Sequence, residues 1–253
     1  MKKKLFIAMM VLLPIGATAQ DTIRIMTFNL YSVAMTSLEE LGGYIKRHNP
    51  DIVALQEVNM KTNRADAPAQ RDKNQVVELG YYADLLPIFA RAIDYPTGGY
   101  YGLGFLSKLP IKSISNQPLP QVNKQEQRTV VIGQWEINGK PLTIANTHLC
   151  LDKKNREVQM RFIRQQLRRT KGAKFVCGDL NSTPEEGLVP TIFRNWTDAL
   201  PEGDNTFSSW NPIYKYDWML YENKHGIQVI NAQVDHSVEL SDHCPCIIDI
   251  VIP

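Results

Sequence analysis

The chain has 253 residues, 43% hydrophobic and 21% charged, an ordinary globular composition long enough for a sizeable core in one domain. Its formal charge is +2, and falls to −1 once Lys2, Lys3 and Lys4 are set aside. No global positive field remains to draw in a polyanion, which weakens nucleic acid as a partner without excluding it.

The N-terminus reads as a separate object. Lys2-Lys3-Lys4, the apolar run Leu5 to Leu13 and Ala17-Thr18-Ala19 before Gln20 have the layout of a secretory signal with an A-x-A cleavage site. The apolar run is short of the roughly 20 residues that a membrane span needs. Residues 1–19 are therefore expected to be removed. Residues 20–253 would be exported, to the periplasm or outside the cell, as one domain with no transmembrane segment.

From Asp21 to Leu30, Ile23, Ile25, Thr27 and Asn29 alternate with Arg24, Met26 and Phe28, a strand with Asn29 at its carboxyl end. Ser37 caps an amphipathic helix from Leu38 to His48, with acids in its first turn and bases in its last. Asp51 to Leu55 reads as a strand buried on both faces that delivers Gln56 and Glu57 at its end. Strand, helix, strand implies a crossover, so Asn29 and Glu57 are expected to be neighbours. The spacing then predicts a loop from Lys61 to Lys73, a helix from about Asn74 to Leu79 and an extended segment from Tyr81 to Ala90. Gly98 to Gly104 is glycine-rich and aromatic but lacks phosphate-loop spacing.

Strands are expected over Ile111 to Leu119, Arg128 to Ile137 and Leu142 to Cys150, the last two joined at Asn138-Gly139. The third carries Asn146 and His148 on one side. Asp152 to Arg169 is a strongly basic helix, mostly a solvated face, with Arg156 nearest the His148 strand and expected at a phosphate. Phe175 to Cys177 is a short buried strand entering Gly-Asp179-Leu-Asn181, whose two polar side chains an extended backbone would aim the same way. A short helix and its exit follow over Val189 to Trp196. An aromatic loop through Trp210, Tyr214 and Tyr216 leads to a strand opened by Asp217. These rings, with Tyr100 and Tyr101, could stack a base or sugar, meet a lipid, or pack the loops. Ser241-Asp242-His243 stands before the final strand, and Asp217 is the expected partner of His243. Cys150, Cys177, Cys244 and Cys246 match no close-spaced metal pattern. Export permits disulfides, but within apolar strands buried free thiols are expected, and no zinc site.

Asn29, Glu57, His148, Asp179, Asn181, Asp217, Asp242 and His243 thus all fall at or beside strand ends, where open α/β folds place chemistry. Carboxylates, carboxamides and imidazoles favour a hard ion such as Mg²⁺ or Mn²⁺. The ordered segments Thr-Phe-Asn29-Leu, Leu-Gln-Glu57-Val, Gly-x-Gly-x-Leu-Ser-Lys-x-Pro-Ile, Asn-Thr-His148-Leu, Gly-Asp179-Leu-Asn181, Tyr-Asp217-Trp and Ser-Asp242-His243 resemble the motifs of the endonuclease/exonuclease/phosphatase superfamily. The resemblance runs from Ile23 to Val251. It implies an α/β four-layer sandwich of the deoxyribonuclease-I type, two packed mixed sheets flanked by helices. It also implies an Mg²⁺- or Mn²⁺-dependent hydrolase of phosphoesters. Glu57 would be the principal metal ligand, with Asn29 and Asp242 near that ion or a second one. Asp179 would orient the attacking water, Asn181 would fix it or a phosphate oxygen, His243 held by Asp217 would handle a proton or phosphoryl charge, and His148 would contact the phosphate. Asn29, Arg156, Asn181 and His148 make up the expected substrate contacts. The substrate stays open between nucleic acid, a phospholipid such as sphingomyelin, a phosphoinositide and a sugar phosphate. A catalytically silent phosphate-binding module on the same fold is the alternative.

Overall fold

Period-two alternation decides the first strand. β1 (Thr22–Asn29) sends Ile23 and Ile25 into one core and Met26 and Phe28 into another on its opposite face. The structure, a computed structural model, describes residues 22–253, so the expected leader at 1–19 lies outside the described residues. Ser37 caps α1 (Leu38–His48) by accepting a hydrogen bond from the Glu40 amide at 3.0 Å, and left-handed Asn49, φ 53°, ends it. β2 (Ile52–Met60) returns parallel to β1.

The next segment departs from the reading. The apolar spacing of Val76, Leu79 and Ala83 carries α2 (Gln75–Ala83) past Leu79, so Tyr81 and Tyr82 are helical rather than extended. The strand starts later, as β3 (Leu86–Asp94), followed by β4 (Tyr100–Ser107). The second half supplies β5 (Ser113–Pro118), β6 (Thr129–Ile137), β7 (Lys140–His148), α3 (Lys153–Leu167) and β8 (Ala173–Asp179). Asn138 and Gly139, at φ 51° and 79°, make the expected tight turn between β6 and β7. α4 (Leu188–Ile192) is shorter than expected, and Trp196 belongs to a strand, β9 (Trp196–Asp198). β10 (Asp217–Glu222), β11 (Gln228–Val234) and β12 (Cys246–Val251) complete the order.

Two six-stranded mixed sheets result, β11-β12-β1-β2-β4-β3 and β5-β6-β7-β8-β10-β9. Each has one parallel pair, β1/β2 and β7/β8, made by a strand–helix–strand crossover, and the remaining pairs are antiparallel. Phe105, Trp135, Phe175, Met219 and Ile248 fill the space between the sheets. α1 and α2 cover the outer face of the first sheet through Leu41, Ile45 and Leu79, and α3 covers that of the second through Met160, Ile163 and Leu167. The order helix, sheet, sheet, helix is the four-layer sandwich, and all four cysteines are buried and free. One polar bolt crosses the inter-sheet core. Gln56 Nε2 donates to Asn146 Oδ1 at 2.7 Å, and Asn146 Nδ2 donates to the Leu55 and Gly104 carbonyls at 3.0 and 2.9 Å. It fixes the middle of β2 against the end of β7.

Candidate active site

Four strand ends, one bulge within β2 and one loop deliver the polar side chains to a single cluster. Asn29 closes β1 on its inter-sheet face. Glu57 reaches the cleft by a route not expected from the sequence, because β2 does not end there. The strand shifts register against β4 between Leu55 and Val58, and Glu57 takes φ 56° within that bulge. Regular alternation would have turned its carboxylate toward the helices with Val53 and Leu55; the bulge re-aims it. His148 and Asp179 are register partners at the ends of β7 and β8, and Asp217 opens β10 opposite Asp179. Gly178 permits this close approach: at φ 125°, a Cβ there would collide with the Thr147 carbonyl. Ser241 Oγ donates to the Asn29 carbonyl at 2.7 Å and so seats the Ser241–His243 loop on the first sheet.

Asp179 Oδ2 is the hub. Asn29 Nδ2 donates to it at 3.1 Å, with the same amide 3.3 Å from Glu57 Oε1. His148 Nε2 lies 3.4 Å and His243 Nε2 3.7 Å from the same oxygen. His243 Nδ1 and Asp217 Oδ2 are hydrogen-bonded at 2.7 Å, the pairing expected from the sequence. Asp179 Oδ1 accepts from the Asn181 amide at 2.8 Å. Backbone strain gathers here as well. Tyr31, Ser32 and Val33, just past Asn29, stand at φ 46°, 55° and 58°, and Asn181 stands at 47°.

The two imidazoles are electrostatic opposites. Burial opposes a charge on His243, but Asp217, Asp179 and Asp242 outweigh it and push the ring up to about 10. Burial drives His148 well below the ordinary histidine range, and the positive charges of Arg128 and His243 add to this. At neutral pH one ring is a cation and the other neutral. Burial, with Asp217 and Glu57 nearby, raises Asp179 above the ordinary carboxylate range against the pull of His243.

Residues 26–243 match the model of the endonuclease/exonuclease/phosphatase family. The chain belongs to that family. No curated protein sequence matches it. Among solved structures it is similar to an endonuclease/exonuclease/phosphatase from Bacteroides vulgatus, with TM-score 0.75 and 20% identity over 92% of this chain and 100% of that one. It is also similar to the mannosyl-6-phosphatase Bt3783 of Bacteroides thetaiotaomicron, with TM-score 0.73 and 14% identity over 90% and 99% of the two chains. The human Nocturnin catalytic domain with bound sulfate gives TM-score 0.69 and 20% identity over 92% and 94%. Members of the family are phosphoesterases and nucleases, generally dependent on a divalent metal.

The donor set fits such an ion. Burial first, then Asp242, raises Glu57 above the ordinary carboxylate range, and burial raises Asp242. With Asp179 this makes three buried or half-buried carboxylates in which burial outweighs the pull of His243, all hard oxygen donors. Among the described residues no three His, Cys, Asp or Glu side chains close into a cage. Mg²⁺ needs none, since it keeps several waters and is held through one or two carboxylates plus substrate oxygens.

Of the residues expected from the sequence, Asn29, Glu57, His148, Asp179, Asp217, Asp242 and His243 line this endonuclease/exonuclease/phosphatase cleft. Asn181 is only partly as expected. Its left-handed backbone breaks the extended geometry, and its Nδ2 donates inward to the Leu149 carbonyl at 2.9 Å. Arg156 is a correction. Its guanidinium is held bidentately by Glu186, both contacts at 2.8 Å, and its Nη1 donates to the Leu151 carbonyl. A buried cation takes the nearest carboxylate, and helix α3 turns this one toward Glu186 rather than the cleft.

The residue overlooked is Arg128. It stands just before β6, its side chain is only 13% exposed, its Nη2 lies 3.4 Å from Glu126, and its Nε and Nη1 are buried without a hydrogen-bond partner among the described residues. Burial disfavours its charge, but Tyr101, Glu126, Asp179 and Glu57 sustain it. A signal for it was present: counting back from the Asn138-Gly139 turn sets Thr129 opposite His148, and Arg128 beside it.

Proposed function

We propose that this chain is an exported, divalent-metal-dependent phosphoesterase that cleaves a phosphodiester or phosphomonoester by attack of water. The observation that carries the reading is the convergence of Asn29, His148 and the His243–Asp217 pair on one oxygen of Asp179, beside Glu57.

Each residue's part follows from its contacts. Asp179, with Oδ1 tied to the Asn181 amide, presents Oδ2 to a water and takes its proton as the water attacks phosphorus. His243, kept as an imidazolium by Asp217, places positive charge where the phosphoryl oxygens become more negative. His148 is neutral, and its buried Nδ1, 3.9 Å from Glu57 Oε1, has no hydrogen-bond partner among the described residues, so it offers one ring nitrogen to a phosphate oxygen. Arg128, with two unpartnered donors, takes the phosphate contact that the sequence reading gave to Arg156. Glu57 would hold Mg²⁺ or Mn²⁺, with Asn29 and Asp242 beside it, and the ion supplies neutralisation of phosphate and leaving-oxygen charge.

The organic part of the substrate would meet an aromatic row. The ring of Phe207 lies 4.9 Å from that of His243 and 5.5 Å from that of Tyr216, on which half-exposed Tyr214 stacks at 5.6 Å. This supports a substrate with a ring near its phosphate, such as a sugar phosphate or nucleotide, over a simple alkyl ester.

Turnover of a bis-aryl phosphodiester and an aryl phosphomonoester with Mg²⁺ or Mn²⁺ tests the reading. Activity removed by EDTA, and lowered about 10²–10³-fold by Glu57→Gln or His243→Ala, is expected. Tight phosphate binding without turnover of either ester would replace this reading with the silent binding module.

A further inference from the structure

We propose that a basic pocket at the far end of the second sheet from the active site is a separate binding site for a small compound carrying two or more phosphate groups. Its walls come from four places in the chain: Arg164 and Arg168 of α3, Lys174 at the start of β8, Arg194 between α4 and β9, and Glu222 with Lys224 at the end of β10. It encloses about 200 Å³, room for a diphosphate.

The pocket's charges do not balance. Glu222, the one carboxylate in its walls, is held by Lys174 at 2.9 Å and Lys224 at 3.4 Å. The guanidinium groups of Arg164, Arg168 and Arg194 have no ion pair or hydrogen bond among the described residues. Elsewhere Arg24, Arg64, Arg91, Arg156 and Arg161 each sit on a carboxylate. Burial and the like charges of Arg168 and Arg194, against the weaker pull of Glu222, hold Arg164 below the ordinary arginine value, so an anion seated among the three would relieve a repulsion. Guanidinium groups suit this task, since their paired donors match phosphate oxygens.

Shape sets the number of phosphates. Arg164 and Arg168, one helical turn apart, also line an adjoining hollow of about 170 Å³ with Arg161. The two hollows share these two guanidinium groups as a ridge, one lobe for each phosphate. Leu167 and half-buried Trp196 give the larger lobe an apolar wall for the organic part of a ligand.

The sequence alone presents these arginines as the solvated face of one helix. What changes the assignment is that Arg194 and Lys174 arrive from other elements to close the pocket. Lys174 and Asp179 stand near opposite ends of β8, about 17 Å apart at an ordinary strand rise, so an anion here touches none of the catalytic groups.

Calorimetric titration of the chain with inorganic pyrophosphate, in EDTA, tests the site without recourse to turnover, and comparison with a variant that keeps the active site intact separates it from phosphate bound there. The parent is expected to bind pyrophosphate at least about tenfold more tightly than the Arg164→Gln/Arg168→Gln/Arg194→Gln variant. Pyrophosphate should raise the melting temperature of the parent by clearly more than that of the variant, which keeps only the active-site phosphate contacts. With no anion present, the variant should melt at or above the parent, because the crowded charges are gone. Equal affinity in the two proteins, or adsorption to phosphatidylglycerol vesicles with no binding of pyrophosphate, overturns the proposal.

Discussion

Two arginines near the same strand end differ in what their guanidinium groups already hold. Arg156 is committed through both terminal nitrogens to Glu186 and backbone carbonyls and leaves only Nε unpartnered, whereas Arg128, with Nη2 3.4 Å from Glu126, leaves Nε and Nη1 without a partner among the described residues. Their substitutions should therefore separate stability from catalysis. Arg156→Gln leaves Glu186 without its cation and should cost about 2–3 kcal/mol of stability. Its kcat/KM should stay within about threefold of the parent, as expected of a group outside the cleft. Arg128→Gln should lower kcat/KM about 10²-fold with a melting temperature no lower than the parent's. Thermal melting together with steady-state kinetics on an aryl phosphoester distinguishes the two, and the reverse pattern would restore Arg156 to the substrate. The sequence showed both arginines. Choosing between them required knowing that α3 faces Glu186, a fact with no local signature.

At the level of elements, the strand carrying Asn29 and the strand that follows His243 are tied side by side. Arg24 on β1 and Asp249 on β12 are register partners, and the guanidinium donates to both carboxylate oxygens at 2.7 and 2.8 Å. The hydrogen bond from Arg24 holds the Asp249 carboxyl below the ordinary carboxylate range. A lowered folded-state value means the pair stabilises fully above the ordinary carboxylate pKa and ceases to do so as the pH falls through the lowered one. Arg24 is 37% exposed, so solvent screening keeps the contribution near that of a surface pair. Asp249→Asn should thus lose about 1 kcal/mol at pH 7, with the deficit against the parent closing as the pH falls below the ordinary carboxylate range. Urea denaturation at the two pH values reads this directly; a deficit independent of pH would mean packing rather than charge. The strands themselves were legible from alternation and caps. The bulge at Glu57 was not, because a bulge is a mismatch between two strands, and β2 inspected alone runs on through it to Met60.

For the molecule as a whole, the site is a property of the contact between sheets. Asn29, Glu57 and the seated Asp242 loop belong to the first sheet, and His148, Asp179 and Asp217 to the second. Alignment of the two rests in part on the Gln56–Asn146 bolt. Asn146→Ala would remove one of three acceptors of Gln56 Nε2 and take their side-chain donor from the Leu55 and Gly104 carbonyls, at a cost of about 1–3 kcal/mol. It should also lower kcat about tenfold or more, since small misplacements of catalytic groups are expensive. Full activity in a destabilised Asn146→Ala protein would show that the sheets find their alignment elsewhere.

By itself the sequence determined the alternation of strands and helices, the Asn138-Gly139 hairpin, the helix caps and the gathering of polar residues at strand ends. Periodicity, turn chemistry and capping are written in neighbouring residues, and seven short motifs in order were enough to indicate the family. Only the tertiary structure decided that Asn29 meets Asp179 across 150 residues of chain, that His243 is charged while His148 is neutral, and which arginine remains available to a phosphate. Hydrogen-bond partners and ionisation depend on distances of a few ångströms between segments far apart in the chain, and no local pattern encodes a distance.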